Sequence, residues 1–136
     1  MADQGLSNDE KALVEEAQAA LANSHAPYSE FRVGAALRTQ SGKVFRGVNV
    51  ENASLGLSMC AERVALFNAV AAGEKKFDAI AIATFAESPT PPCGACRQVM
   101  LEFADELAIH LVVAGHPVET HTLTELAPRP FKSYRD

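Results

Sequence analysis

Positive charge is in short supply in this chain. Its 12 lysines and arginines face 17 aspartates and glutamates, for a net charge of −5 at pH 7 and an isoelectric point near 5.3. That balance opposes long-range attraction to phosphate backbones, so a small molecule is the expected partner and nucleic acid is not. Long apolar runs are absent too, and nothing approaches the roughly 20 residues that cross a bilayer, so no membrane association is expected. The opening residues Met1-Ala2-Asp3-Gln4-Gly5 carry neither the basic nor the apolar region of a secretory leader, and a cytoplasmic location is the expectation. Cysteine is limited to Cys60, Cys93 and Cys96. Three thiols cannot all pair within one chain, and an intracellular Cys-x-x-Cys points to metal or redox chemistry before a disulfide framework. With 48% hydrophobic and 21% charged residues, the composition excludes extended disorder. The length of 136 residues fits one domain, 1–136, around one core.

Ser7-x-x-Glu10 forms a capping box ahead of Leu13, Val14, Ala17, Ala20 and Leu21 at helical spacing, which predicts a helix over about residues 8–23. After Pro27, the small and branched residues of Phe31 to Leu37 suit a strand packed closely on a helix. Gln40-Ser41-Gly42-Lys43 reads as a hairpin turn. The strand beyond it places Val44, Arg46, Val48 and Val50 on one face and Phe45, Gly47 and Asn49 on the other, with Glu51 on the side of Asn49. Cys60 to Ala72 is apolar on most sides, which predicts a buried helix that Gly73 stops. Phe77 to Thr84 reads as a central strand. A proline-rich loop through Pro89, Pro91 and Pro92 then delivers the chain to Cys93 and a third helix reaching about Ala104. Two strands, His110 to Ala114 and Val118 to Thr122, flank the turn Gly115-His116-Pro117, and Thr124 is placed to cap a brief last helix. The order is that of an α/β domain.

Every cysteine falls in Cys60-Ala61-Glu62 or Pro92-Cys93-Gly94-Ala95-Cys96, so three thiolate candidates accompany one carboxylic acid two residues from the first. Four protein ligands usually make a structural zinc site. Three leave a position for water, whose pKa the metal lowers toward neutrality, and Glu62 is placed to carry protons between that water and a substrate. Each cysteine segment enters a predicted helix, where the dipole's positive end favours thiolate. Three thiolates on a dication carry excess negative charge. Arg63 or Arg97 is available to offset it, Arg63 being the preferred partner. A lone cysteine is often only a small buried hydrophobe, and a lone glutamate at a helix start is often a solvated cap; the joint spacing is what argues for catalysis. His25, His110, His116 and His121 lack ligand spacing to the cysteines and are expected to be surface or structural residues.

Across nearly its whole length the sequence resembles the small, homotetrameric cytidine deaminases. The segments that carry the resemblance are Ala26-Pro27-Tyr28-Ser29, Phe31 to Leu37, Gly47-Val48-Asn49-Val50-Glu51-Asn52-Ala53-Ser54, Cys60-Ala61-Glu62-Arg63 and Pro92 to Gln98. Three cysteine ligands with a non-ligand glutamate are a signature of zinc deaminases. The resemblance implies a three-layer α-β-α sandwich around a mixed five-stranded sheet, zinc on Cys60, Cys93 and Cys96, and Glu62 as proton shuttle. It also implies Asn49 and Glu51 on the ribose 3'-hydroxyl, Phe31 beside the pyrimidine, the Ala61 N–H at the base carbonyl, and Phe131 contributed by a neighbouring subunit to a site at the subunit interface. Leu55 departs from the aromatic that relatives often carry near a subunit contact, and Arg129-Pro130 is unusual company in the tail, whose Arg129, Lys132 and Arg135 read as a solubilising chain end.

The implied reaction is hydrolytic deamination of cytidine and 2'-deoxycytidine to uridine and 2'-deoxyuridine, within pyrimidine salvage. The alternatives are deamination of another aminopyrimidine nucleoside, such as blasticidin S or a modified cytidine, a zinc-stabilised binding protein without turnover, and editing of nucleic acid. Phe31 and the complete Asn49-Val50-Glu51-Asn52 segment favour cytidine over the first of these. A purely structural site has no need of Glu62, and the acidic balance opposes the last.

Overall fold

Two glycines determine how closely the helices approach the sheet. In the computed structural model, which describes residues 5–104 and 106–134, β1 (Val33–Thr39) and β2 (Val44–Val48) form the expected antiparallel hairpin. A Cβ on Gly34 of β1 would overlap the Ala17 carbonyl oxygen of α1 (Asn8–Ala20) and stand 2.9 Å from the Leu21 amide nitrogen. A Cβ on Gly47 of β2 would overlap the Ala61 carbonyl oxygen and the Ala65 amide nitrogen of α2 (Ala61–Ala71). The missing side chains let α1 and α2 lie against strand backbone.

β3 (Phe77–Thr84) occupies the centre of a five-stranded mixed sheet ordered β2-β1-β3-β4-β5, antiparallel to β1 and parallel to β4 (Ala108–Val113), with β5 (Glu119–Thr122) antiparallel on the far edge. Strand alternation divides the core in two. Ala36, Ala79, Ala81, Ala83 and Val112 face Leu13, Val14, Ala17 and Leu21 on the α1 side. Ala35, Leu37, Ile80, Ile82, Ile109 and Leu111 face α2, α3 (Gly94–Leu101) and Leu123 of α4 (Leu123–Leu126) on the other. Alanines beneath α1 and branched residues beneath α2 and α3 are two ways of matching strand side chains to helix spacing. The result is the expected three layers.

Several boundaries move from their expected places, each for a local reason. α1 carries its capping box but tightens into a 3₁₀ turn at Leu21–Asn23, and the backbone stays outside the sheet until Val33 because Asn49 occupies the pairing positions of residues 31–33. The hairpin's second strand ends at Val48, and Val50 instead bridges to His25 and Met59. α3 stops at Leu101 rather than near Ala104, the next residues forming a turn. The last helix is capped by Thr122, not Thr124: Thr122 is extended (ψ 154) and exchanges capping-box bonds with Glu125, the residue three ahead. Cys60 is the N-cap of α2, and Phe67 on that helix is 45% exposed, so α2 is less enclosed within one chain than its composition suggests. His110 is fully buried in β4, its Nδ1 2.8 Å from the Thr120 hydroxyl and its Nε2 3.3 Å from Glu10 Oε2, outside hydrogen-bond geometry; burial lowers its pKa. Met1 to Gln4 and the expected tail residue Arg135 lie outside the described residues.

Gly47→Ala is expected to destabilise the protein by about 2 kcal/mol or more in urea titration, since backbone on both sides must part to admit the methyl group. Gly56→Ala, where a Cβ meets nothing within 4 Å, is expected to stay within about 0.5 kcal/mol of the parent.

Candidate active site

Cys60 and Cys93 are the N-caps of α2 and α3, and the two helix starts converge on one point beside the sheet. Both residues have extended backbone, and the Cys93 sulfur accepts the Cys96 N–H at 3.4 Å, so each sulfur sits at the positive end of a helix dipole. The Sγ atoms of Cys60 and Cys93 are 3.8 Å apart, those of Cys93 and Cys96 3.2 Å, and all three lie within 4.8 Å of one another. Sulfurs bound tetrahedrally at a zinc–sulfur length of about 2.3 Å stand roughly 3.8 Å from each other. The Cys60–Cys93 spacing matches that value and the Cys93–Cys96 spacing is somewhat shorter, and a soft three-thiolate set is one that zinc accepts. Among the described residues this is the one cluster of His, Cys, Asp or Glu arranged to hold a metal ion.

Charge at the cluster is arranged for thiolate. The Cys60 thiol is held low, at about 5, by the hydrogen bond it receives from Cys96 and by Arg63, whose Nη2 is 3.4 Å from Cys60 Sγ; the same pairing pushes Cys96 up. Arg97, the other candidate, is committed elsewhere: its Nε donates to the Pro92 carbonyl at 2.8 Å and its Nη1 to the Leu126 carbonyl at 2.5 Å, clamping the loop before α3 to α4.

Glu62, in the first turn of α2, is 6% exposed, and burial raises its pKa from 4.5 to about 7, with the negative charge of Cys60 adding to the effect. A carboxyl poised near neutrality accepts and releases a proton with little cost in either direction. It lines a cavity of about 270 Å³ together with Cys60, Cys93, Ala61, Phe31, Asn49 and Glu51. The structure thus brings to one cavity seven of the residues singled out from sequence. Cys96 lies behind it, fully buried. Phe131 does not line this chain's cavity: its ring is 65% exposed, and its carbonyl oxygen accepts from Gln98 Nε2 at 2.8 Å.

The cavity has walls that sequence reading passed over. Val33, Ser58, Met59, Ile82, Thr90 and Pro91 also line it. Ile82 and Val33 were accessible through strand alternation once the helix side was known, and Met59 and Pro91 through adjacency to ligand cysteines. Ser58 and Thr90 carried no signal of their own.

Comparison with known proteins places this geometry. Residues 7–112 match the family described as the cytidine and deoxycytidylate deaminase zinc-binding region. A cytidine deaminase of Halalkalibacterium halodurans is 44% identical over 124 residues, 90% of this chain and 94% of that protein. The crystal structure of a cytidine deaminase from Burkholderia pseudomallei superposes with a TM-score of 0.87 at 48% identity, covering 93% of this chain and all of that one. A blasticidin-S deaminase of Bacillus cereus is 32% identical over 108 residues, 74% of this chain and 76% of that protein. The chain belongs to the cytidine and deoxycytidylate deaminase family, and its three cysteines fit the zinc site of that family.

Purified protein is expected to contain one zinc per chain by elemental analysis. Cys96→Ala, which removes a buried ligand that no neighbouring group replaces, is expected to lose stoichiometric metal, and chelation of the parent protein is expected to lower its Tm because binding energy is withdrawn from the folded state alone.

Proposed function

We propose that the protein catalyses the zinc-dependent hydrolytic deamination of cytidine and 2'-deoxycytidine, giving uridine and 2'-deoxyuridine with release of ammonia. The observation that carries this is a carboxyl held near neutrality by burial, on the wall of a cavity lined by Cys60 and Cys93, with the third converging thiol, Cys96, behind them. Held by Cys60, Cys93 and Cys96, zinc would supply Lewis acidity that brings the pKa of water toward neutrality, and Arg63 would offset the surplus negative charge of the thiolates.

The chain's own residues divide the rest of the work. Glu62 takes a proton from the attacking water and delivers it to ring N3, which makes C4 electrophilic. As the new C–O bond forms at C4, that carbon becomes tetrahedral. Glu62 then relays the second proton of the water to the exocyclic amine, the C4–N bond breaks, and ammonia leaves while the added oxygen becomes the ring carbonyl. One residue can serve both steps because its proton affinity is close to neutral. The Ala61 N–H, in the first turn of α2 and without an acceptor inside the helix, suits the base carbonyl oxygen. Phe31, 41% exposed at the cavity mouth, offers a face to the pyrimidine. Asn49 and Glu51 face a sugar hydroxyl, assigned to the ribose 3' position.

Assembly as a homotetramer completes the site in this reading, with Phe131 entering a neighbour's cavity. The exposed ring of Phe131 supports it, as do Leu55 at 68% and Leu57 at 71% exposure on the 3₁₀ turn Leu55–Leu57, with Phe67 on α2. Light scattering is expected to return the mass of four chains. A free nucleoside as substrate places the reaction in pyrimidine salvage in the cytoplasm, and among the described residues no helix is long and apolar enough to cross a membrane. Deamination of blasticidin S is the second reading, favoured by the 32% identical Bacillus cereus relative. Competition between the two substrates separates them, cytidine being expected to win.

Glu62→Gln keeps the shape of the side chain and removes its proton traffic. The variant is expected to retain zinc while kcat for cytidine, read as ammonia release, falls by about 10² to 10⁴. Near-normal turnover in a zinc-replete variant would remove Glu62 from its role.

A further inference from the structure

The residues assigned to the sugar are heavily engaged with the protein itself, which fixes what they have left to offer. An asparagine amide accepts two hydrogen bonds at Oδ1 and donates two from Nδ2. Oδ1 of Asn49 accepts the Val33 N–H at 2.9 Å and the hydroxyl of Ser24, a buried residue at the end of the 3₁₀ turn Leu21–Asn23. Nδ2 donates to the Phe31 carbonyl oxygen at 2.7 Å. Both acceptor positions are occupied, and one N–H remains for the cavity that Asn49 lines.

Glu51 shows the opposite polarity. Its Oε1 accepts the N–H groups of Tyr28 and Ser29, each at 3.0 Å, and its Oε2 accepts the Ser29 hydroxyl, which in turn accepts the Phe31 N–H at 3.0 Å. These bonds, the Ser29 hydroxyl first among them, hold the carboxyl below its usual pKa, so Glu51 is ionised and only accepts. Glu30, between Ser29 and Phe31, has a left-handed backbone (φ 60), a conformation unfavourable for a side chain of this kind, and its N–H is held by the Ala26 carbonyl at 3.0 Å. The segment from residue 24 to 31 is a strap whose shape depends on the two serine contacts.

We propose that Ser24 and Ser29 are positioning residues for substrate recognition, acting through Asn49 and Glu51 to present one N–H donor and one carboxylate acceptor. A free hydroxyl satisfies both at once, since it accepts through oxygen and gives its proton to Glu51. A group that only accepts, such as a phosphate ester at the same place, leaves the carboxylate facing another negative charge. The inference rests on the reading of the protein as a nucleoside deaminase.

The test uses zinc-replete parent protein, Ser24→Ala, Ser29→Ala and the hydroxyl-retaining Ser29→Thr, each assayed for kcat and KM on cytidine, 2'-deoxycytidine and 3'-deoxycytidine. In the parent, 3'-deoxycytidine is expected to lose the most in kcat/KM, and that loss measures discrimination by the receptor. Both alanine variants are expected to reduce the discrimination by about tenfold, the worth of one net hydrogen bond, through a raised KM for the hydroxyl-bearing substrate at nearly the same kcat. Ser29→Thr is expected to restore it. A general folding defect lowers the active fraction equally for all three substrates, so the ratio is insensitive to it. Unchanged discrimination in both alanine variants of an active enzyme overturns this inference and leaves the deaminase reading standing. A parent protein that releases no ammonia from any of the three substrates overturns both.

Discussion

The contact between α2 and the backbone of β2 at Gly47 governs the rest of the molecule. Helix and strand meet there without an intervening side chain, and this docks the first turn of α2, with Cys60, Ala61 and Glu62, into the wall of the sheet. α3 starts from the loop after β3, so its own first turn arrives at the same place. Two helix N-termini directed at one point bring unpaired N–H groups and positive partial charge together. Thiolates are stable at such a point, and a divalent cation is stable on the thiolates. The metal site is therefore a consequence of backbone packing, with Cys60 and Cys93 occupying cap positions that the fold already makes electropositive and Cys96 following in the first turn of α3.

Placing Glu62 beside that cluster works against stability. Its folded-state pKa is raised from 4.5 to about 7, so between those values the native protein holds a proton that the unfolded chain has released. Stability accordingly falls as pH rises through that window, and the ionised carboxyl costs about 3 kcal/mol above it. A leucine there would serve the core better. The retained carboxyl is the kind of local conflict with packing that marks a chemical role, and in the proposed mechanism its burial is the physical reason that one side chain alternates between base and acid.

Much of this was legible in the residues. The capping box at Ser7 and Glu10, the central strand at Phe77 to Thr84 and the stop at Gly73 (φ 93) follow local rules, and each appears where those rules put it. The spacing of Cys60, Glu62, Cys93 and Cys96 announced the chemistry because a catalytic metal requires few residue types and tolerates few arrangements. Less legible was the segment between α1 and β1. Its form is set by hydrogen bonds from side chains 16 to 25 positions away, Asn49 to Phe31 and Val33, Asn49 to Ser24, Glu51 to Tyr28 and Ser29, and no local propensity encodes those. The Thr122 cap, by contrast, was legible: Glu125 stands three residues after Thr122, the spacing of the Ser7 and Glu10 box, whereas Ala127 stands three after Thr124.

Asn49 and Glu51 complete the connection between fold and recognition. The chain needs them to replace strand pairing that residues 26–32 do not make, and the bonds that do so leave one donor on Asn49 and acceptor capacity on Glu51 at the cavity. Hydrogen-bonding capacity not used for structure is what a ligand can use, because a buried polar group left unpaired costs more than a made bond gains. In the proposed reading, recognition of the sugar is thereby tied to the integrity of the strap, and the strap to the end of α1 through Ser24. Zinc chemistry and the proposed sugar recognition thus share one cavity but draw on different physics: convergence of helix termini for the metal, and the residual valence of a side-chain network for the nucleoside.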